Sequence, residues 1–171
     1  PNALCEAMSC GLPVIAADPQ ASDLNVSHRS GQTFITFEEV YAPRVSAGMD
    51  DVVIRKMVRD LDENELHYRI YRNSRRIDSV EGMIPIAKVR PLSCWNVDYY
   101  GVSPKQGKPA FRYVIDDGGE PLAAGTGLYV HNPGERAKSY YVVTVVKDGR
   151  ENTALSEGNA TREPVKEGRG Q

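Results

Sequence analysis

The sequence predicts a mainly β protein of the sandwich type, on three observations. The run Ser139-Tyr140-Tyr141-Val142-Val143-Thr144-Val145-Val146-Lys147 is β-branched and aromatic, and it ends in Asp148-Gly149, the strongest short hairpin signal. Two other segments alternate at period two: Thr33, Ile35 and Phe37 share one face, and so do Leu66, Tyr68 and Ile70. Turn signals separate these runs from further short strands, with a single inserted helix among them.

Bulk properties bound the answer. At 171 residues and 18.9 kDa the chain suits one domain, or one with an appendage. Its hydrophobic content of 40% and charged content of 26% are ordinary for a globular protein. A net charge of −2 gives no electrostatic case for nucleic acid or an anionic membrane. No apolar run approaches the roughly 18–20 residues of a membrane span. Cys5, Cys10 and Cys94 form neither a disulfide framework nor a zinc set and are expected as small buried hydrophobes. The chain opens on Pro1 without an initiator methionine, so a fragment or processed form is expected.

In chain order, residues 1–18 read as a short helix followed by a short buried strand. Pro1 and Asn2 lie at the helix start, Leu4, Ala7 and Met8 share a face, and Gly11 suits the stop. Leu12-Pro13-Val14-Ile15-Ala16-Ala17 is the strand. Residues 19–23 form a polar joint. Leu24–His28 is an expected edge strand, and Ser30-Gly31 turns the chain into Gln32–Phe37. Residues 50–61 place Ile54, Met57, Val58 and Leu61 at i, i+3, i+4, i+7 behind Asp50 and Asp51, which predicts an inserted amphipathic helix packed on the sandwich. Expected strands then cover Leu66–Arg72, Ile84–Val89, Phe111–Ile115, Leu128–His131, the 139–146 run and 151–155. Leu92–Tyr100 is an aromatic, irregular stretch. From 156 to 171 the composition turns polar and Gly/Glu/Arg-rich, as in a disordered tail or linker.

Two resemblances follow from these residues. Tyr140, Val142, Thr144, Val145 and Gly149 resemble the penultimate strand of fibronectin type III and related immunoglobulin-like modules. The Tyr68-Arg69-Ile70-Tyr71 segment resembles their third strand, and Phe37 stands where the second strand carries a core tryptophan. The resemblance covers about 24–155 and implies an accessory module of a larger secreted bacterial protein, such as a hydrolase or esterase, in the extracellular or periplasmic space. Separately, Pro1-Asn2-Ala3-Leu4-Cys5-Glu6-Ala7-Met8-Ser9-Cys10-Gly11 and the strand after it resemble one motif of nucleotide-sugar glycosyltransferases with two Rossmann-like lobes. By that resemblance Glu6 would hold the ribose of a sugar nucleotide. The family's first glutamate would fall before Pro1, and nothing after Asp18 looks like the rest of a donor-binding lobe. A stub of that fold is therefore expected.

No catalytic constellation is legible. Gly-x-Ser-x-Gly is absent, and His28, His67 and His131 lack metal-ligand spacing, so neither a metal nor a cofactor is expected. Asp116-Asp117-Gly118-Gly119-Glu120 lacks the calcium-loop spacing and reads as a hairpin turn. Asn25-Val26-Ser27 and Asn159-Ala160-Thr161 fit the glycosylation sequon. Trp95, Tyr99 and Tyr100 are the candidate contacts for a polysaccharide or a protein partner, against the alternative that Trp95 closes the core. Arg69, Arg72, Arg75 and Arg76 form a basic cluster that is either a solvated face or a docking site for an acidic domain. The expected role is a noncatalytic module for spacing, binding or docking to a neighbouring domain. The alternatives are a glycosyltransferase fragment and a carbohydrate-binding module.

Overall fold

The computed structural model describes residues 18–40, 53, 56, 57, 60, 65–96, 112–116 and 118–168. Among these, eight strands form two antiparallel sheets: β1 (Ser22–Arg29), β2 (Gln32–Glu38), β3 (Leu66–Asn73), β4 (Ala87–Val89), β5 (Thr126–His131), β6 (Ala137–Lys147), β7 (Arg150–Asn152) and β8 (Val165–Glu167). One sheet has the order β1-β2-β5. The other has the order β4-β3-β6-β7, with β8 also paired to β6.

The period-two pattern decides which side chains meet between the sheets. Ile35 and Phe37 of β2 pack with Tyr68 and Ile70 of β3 and with Tyr141, Val143 and Val145 of β6. The Phe37 and Tyr68 rings lie 4.7 Å apart at a tilt of 56°, a favourable aromatic geometry. The outer face of the larger sheet is covered too: Tyr71 and Val142 are buried with Ile77 and Val80, and Tyr140, Met83, Leu155 and Ala160 lie against them. Coverage on both faces explains why β6 is apolar from Tyr140 to Val146 at every position but Thr144. Of the sequence's fold-signature residues, Phe37, Tyr68 and Ile70 lie in the inter-sheet core, whereas Tyr140 and Val142 lie on the outer face. The tyrosine that β6 sends between the sheets is Tyr141.

Two tight turns set the register. Ser30 and Gly31 have φ of 49° and 80°, and Asp148 and Gly149 have 49° and 75°, so both central residues are left-handed, as in type I′ hairpins. They close Arg29 onto Gln32 and Lys147 onto Arg150. A Cβ at Gly149 would meet nothing within 4 Å, so a side chain there strains only the backbone. Gly149→Ala should therefore cost about 1–2 kcal/mol, read as a lower midpoint in urea. An unchanged midpoint would remove the turn from the stability argument.

The structure corrects the reading in three places. The segment expected as a polar tail from 156 contains β8 and a bridge from Ala160 to Val142, so the last strand of the larger sheet is interrupted. Between Val145 and Val142 β6 uses three residues where its partner uses eight, from Asn152 to Ala160. Polar composition hid this strand because its one buried charge is paired. The strand expected over 111–115 is a single bridge between Arg112 and Trp95, and Tyr113 and Val114 are exposed. The strand expected over 84–89 is only Ala87–Val89, and Ile84 is 86% exposed. Val53, Lys56, Met57 and Asp60 are helical, while Ile54, Val58 and Leu61 of the expected stripe lie outside the described residues. So does the stub over residues 1–17.

Candidate functional site

The most organised polar group is the Glu167 carboxylate, placed by β8 at one end of the sandwich with its side chain 0% exposed. Arg72 of β3 donates to Oε2 from Nη2 at 2.6 Å and from Nε at 3.2 Å, and Ser139 Oγ donates to the same oxygen at 2.7 Å. Thr33 Oγ1 donates to Oε1 at 3.0 Å, joined there by the Tyr141 hydroxyl. Burial alone would raise this carboxyl; the donors from Arg72, Tyr141, Ser139 and Thr33 outweigh it and hold it at about 2. Burial and the bond to Glu167 push the Tyr141 phenol up. Five donor contacts saturate a carboxylate's lone pairs, so this group serves as a tie between strands rather than a base or ligand.

A second carboxylate repeats the device on the outer face. Glu151 of β7 accepts from Arg69 Nη1 at 2.5 Å, Tyr71 Oη at 2.7 Å and Thr144 Oγ1 at 2.5 Å. Burial opposes its ionisation, but the Thr144 and Tyr71 hydroxyls and the Arg69 charge hold it below the ordinary range. The basic cluster of the sequence is thereby divided. Arg69 and Arg72 lie on opposite faces of β3 with different partners, and the exposed Arg76 pairs with Asp78 at 3.4 Å.

The two ends of the described body are fixed differently. At the incoming end, Asn152 Nδ2 donates to the carbonyls of Asp18 at 3.2 Å and Pro19 at 3.0 Å, and Gln20 Nε2 donates to the Ala154 carbonyl at 2.7 Å. At the outgoing end, Gly168 lies against His28, with its amide 2.8 Å and its carbonyl oxygen 2.9 Å from Nε2. β1, eight residues long, runs between these ends. At strand rise that separates them by about 25 Å.

The candidate contact residues are placed as follows. Trp95 is buried at 4% exposure, with the Arg112 guanidinium 5.5 Å from its ring centre. Its indole therefore has no open face on which a sugar could stack. Tyr99, Tyr100 and Glu6 lie outside the described residues. Cys94 beside Trp95 is buried, and burial followed by the nearby Glu39 charge pushes its thiol up to about 11. Glu39 itself caps the turn after β4, accepting from the amides of Leu92 at 2.9 Å and Ser93 at 3.4 Å. Burial raises its carboxyl in spite of those bonds. Asn159 is fully buried; its amide donates to Ala154 O at 3.0 Å and accepts from Ser156 N at 2.7 Å, so the second sequon is sealed in the fold. Asn25 is exposed on β1.

An open groove of about 570 Å³ runs along the outer face, with Ile77, Leu155 and Ala160 among its lining residues and Arg76, Glu157 and Arg162 at its walls. Among the described residues no three of His, Cys, Asp and Glu are placed to hold a metal ion. No helix among them is long and apolar enough to cross a membrane. Sequence reasoning missed Glu167 and Glu151, because the arginine that pairs with each comes from a strand far away in the chain: Arg72 is 95 residues from Glu167 and Arg69 is 82 from Glu151. In comparisons with protein-family models, curated proteins and solved structures, none matched this chain.

Proposed function

We propose that this chain is a noncatalytic, fibronectin type III-like accessory module that works in line between neighbouring domains of a larger secreted bacterial protein. The observation that carries the reading is the placement of Asp18 and Gly168 at opposite ends of β1, each held by side-chain bonds. A polypeptide continuing past both would be set about 25 Å apart on a firm axis. The strand order supports the family. The first, second and fifth strands share one sheet and the third, sixth and seventh the other, as in immunoglobulin-like sandwiches, with the fourth strand on the opposite sheet from the immunoglobulin constant type. The helical residues Val53, Lys56, Met57 and Asp60 support an inserted helix over 50–61. The three carboxylates described above all serve the fold, consistent with a module whose work is positional.

Sequencing the parent reading frame through both flanks tests this. Folded domains in frame on both sides are the expected result. A frame that places no domain on either side would overturn the spacer reading, and a complete nucleotide-binding lobe directly upstream would favour the glycosyltransferase alternative.

A further inference from the structure

We infer that His28 is a proton-operated clasp that selects which backbone group of Gly168 it holds at the outgoing end of the described body. This deepens the in-line reading by naming the residue that holds the outgoing end.

The hydroxyl of Thr33 has one proton to donate. Glu167 stays ionised above about pH 2 and is acceptor-only, so that proton is committed to Oε1 at 3.0 Å. His28 Nδ1 lies 2.9 Å from the same hydroxyl oxygen and must be the donor there. The carboxylate thus fixes the Nδ1–H tautomer of His28 through Thr33. In the neutral ring Nε2 is then a bare acceptor, suited to the Gly168 amide at 2.8 Å and unsuited to the Gly168 carbonyl oxygen at 2.9 Å. A ring nitrogen has one in-plane position, either a lone pair or a hydrogen. Protonation at Nε2 reverses the preference: the amide loses its acceptor and the carbonyl gains a donor.

Gly168 can follow that reversal, because a Cβ there would meet nothing within 4 Å and the residue carries no side chain to obstruct a turn. Among the described residues, the titratable and charged groups around this end include Glu167 on β8, Arg72 on β3, Tyr141 on β6 and His131 on β5, with Arg29 next to His28 on β1 and Lys166 next to Glu167 on β8. His131 is the cross-strand neighbour of Thr33, and burial followed by the Arg72 charge lowers its imidazole. Glu167 and Tyr141 hold one charge state across the range in which imidazoles titrate, since one carboxyl lies at about 2 and the phenol is pushed up. His131 is the other imidazole in this row, so the two rings must be followed separately.

The test is a pH titration of the isotope-labelled protein by NMR, following the His28 ring nitrogens and the Gly168 amide. The expected neutral form has Nδ1 protonated and Nε2 bare. On acidification the Gly168 amide should shift with the midpoint of His28 and lose about tenfold in exchange protection, the worth of one hydrogen bond. In His28→Gln the Gly168 response should be flat. An Nε2–H tautomer in the neutral form, or a Gly168 amide that follows His131 or does not respond, would overturn the clasp. The measurement needs no flanking domain, so its failure is separable from failure of the in-line reading.

Discussion

Glu167→Ala is expected to lower stability by about 3 kcal/mol, the low end of the range for breaking a buried ion pair, because the Arg72 side chain keeps 23% of its exposure. The loss arises from what is left behind. Arg72, Ser139, Thr33 and Tyr141 all aim donors at Glu167, and the last three are themselves buried. Urea unfolding followed by Trp95 fluorescence gives the value, and a loss below about 0.5 kcal/mol would mean that the carboxylate is not a tie between the strands. The acid limb carries a second expectation. The folded carboxyl at about 2 lies below its ordinary 4.5, so the unfolded chain binds the proton first. Stability from Glu167 is therefore complete above about 4.5 and disappears as the pH falls toward 2. Glu151 is shifted the same way and adds to the loss. Glu39 runs against them: its raised carboxyl stabilises below 4.5, and that contribution fades as pH rises through the folded value. Glu167→Gln should flatten the profile between 4.5 and 2, and a slope equal to that of the parent would refute the assignment.

The second large effect is expected at Gly127 of β5. It pairs with Phe37, and a Cβ built on it would lie 2.8 Å from the ring's Cε1 and closer still to Cζ and Cε2. The ring cannot retreat, because Phe37 is 1% exposed and Tyr68 packs at 4.7 Å on it. Gly127→Ala should cost about 3 kcal/mol, the upper part of the range for overpacking a core. Phe37→Leu in the same chain should recover a good part, since the two residues share one volume. Strict additivity in a double-mutant cycle would mean the clash is relieved elsewhere.

Gly127 also marks the limit of what the sequence discloses. Gly125-Thr126-Gly127 has the composition of a turn, yet only Gly125 has a positive φ among the glycines of that triplet, and Gly127 is a strand residue. A glycine chosen to admit a ring from the next strand looks locally like any other. The alternating β2 and β3 were legible because one face of each is plainly more apolar, and the two I′ turns because Ser-Gly and Asp-Gly suit two left-handed residues. In β6 the alternation fails as a guide. Tyr140 and Tyr141 are adjacent and chemically alike, both faces are covered, and only the partner strand decides which one enters the core. β8 was hidden for a different reason. Val165-Lys166-Glu167 has no apolar period, and its place depends on Arg72, which local pattern cannot find. The polar hub was illegible for the same reason, although each of its members stood in plain view.

The interrupted last strand has a consequence for crowding. Each unpaired strand edge is a template for a like edge on another molecule, and tandem sandwiches hold their neighbours at high local concentration. In the larger sheet one border is β4, three residues long, and the other is divided into β7 and β8, also three residues each. The excursion between β7 and β8 places Gly158 where its carbonyl accepts from the Leu24 amide at 2.8 Å, so part of that border is closed onto β1 of the same body. Neither border offers a long flat ladder. Along the larger sheet, neighbouring bodies in a chain would find no long ladder to pair with, and on the divided side that follows from the same excursion that disguised the strand.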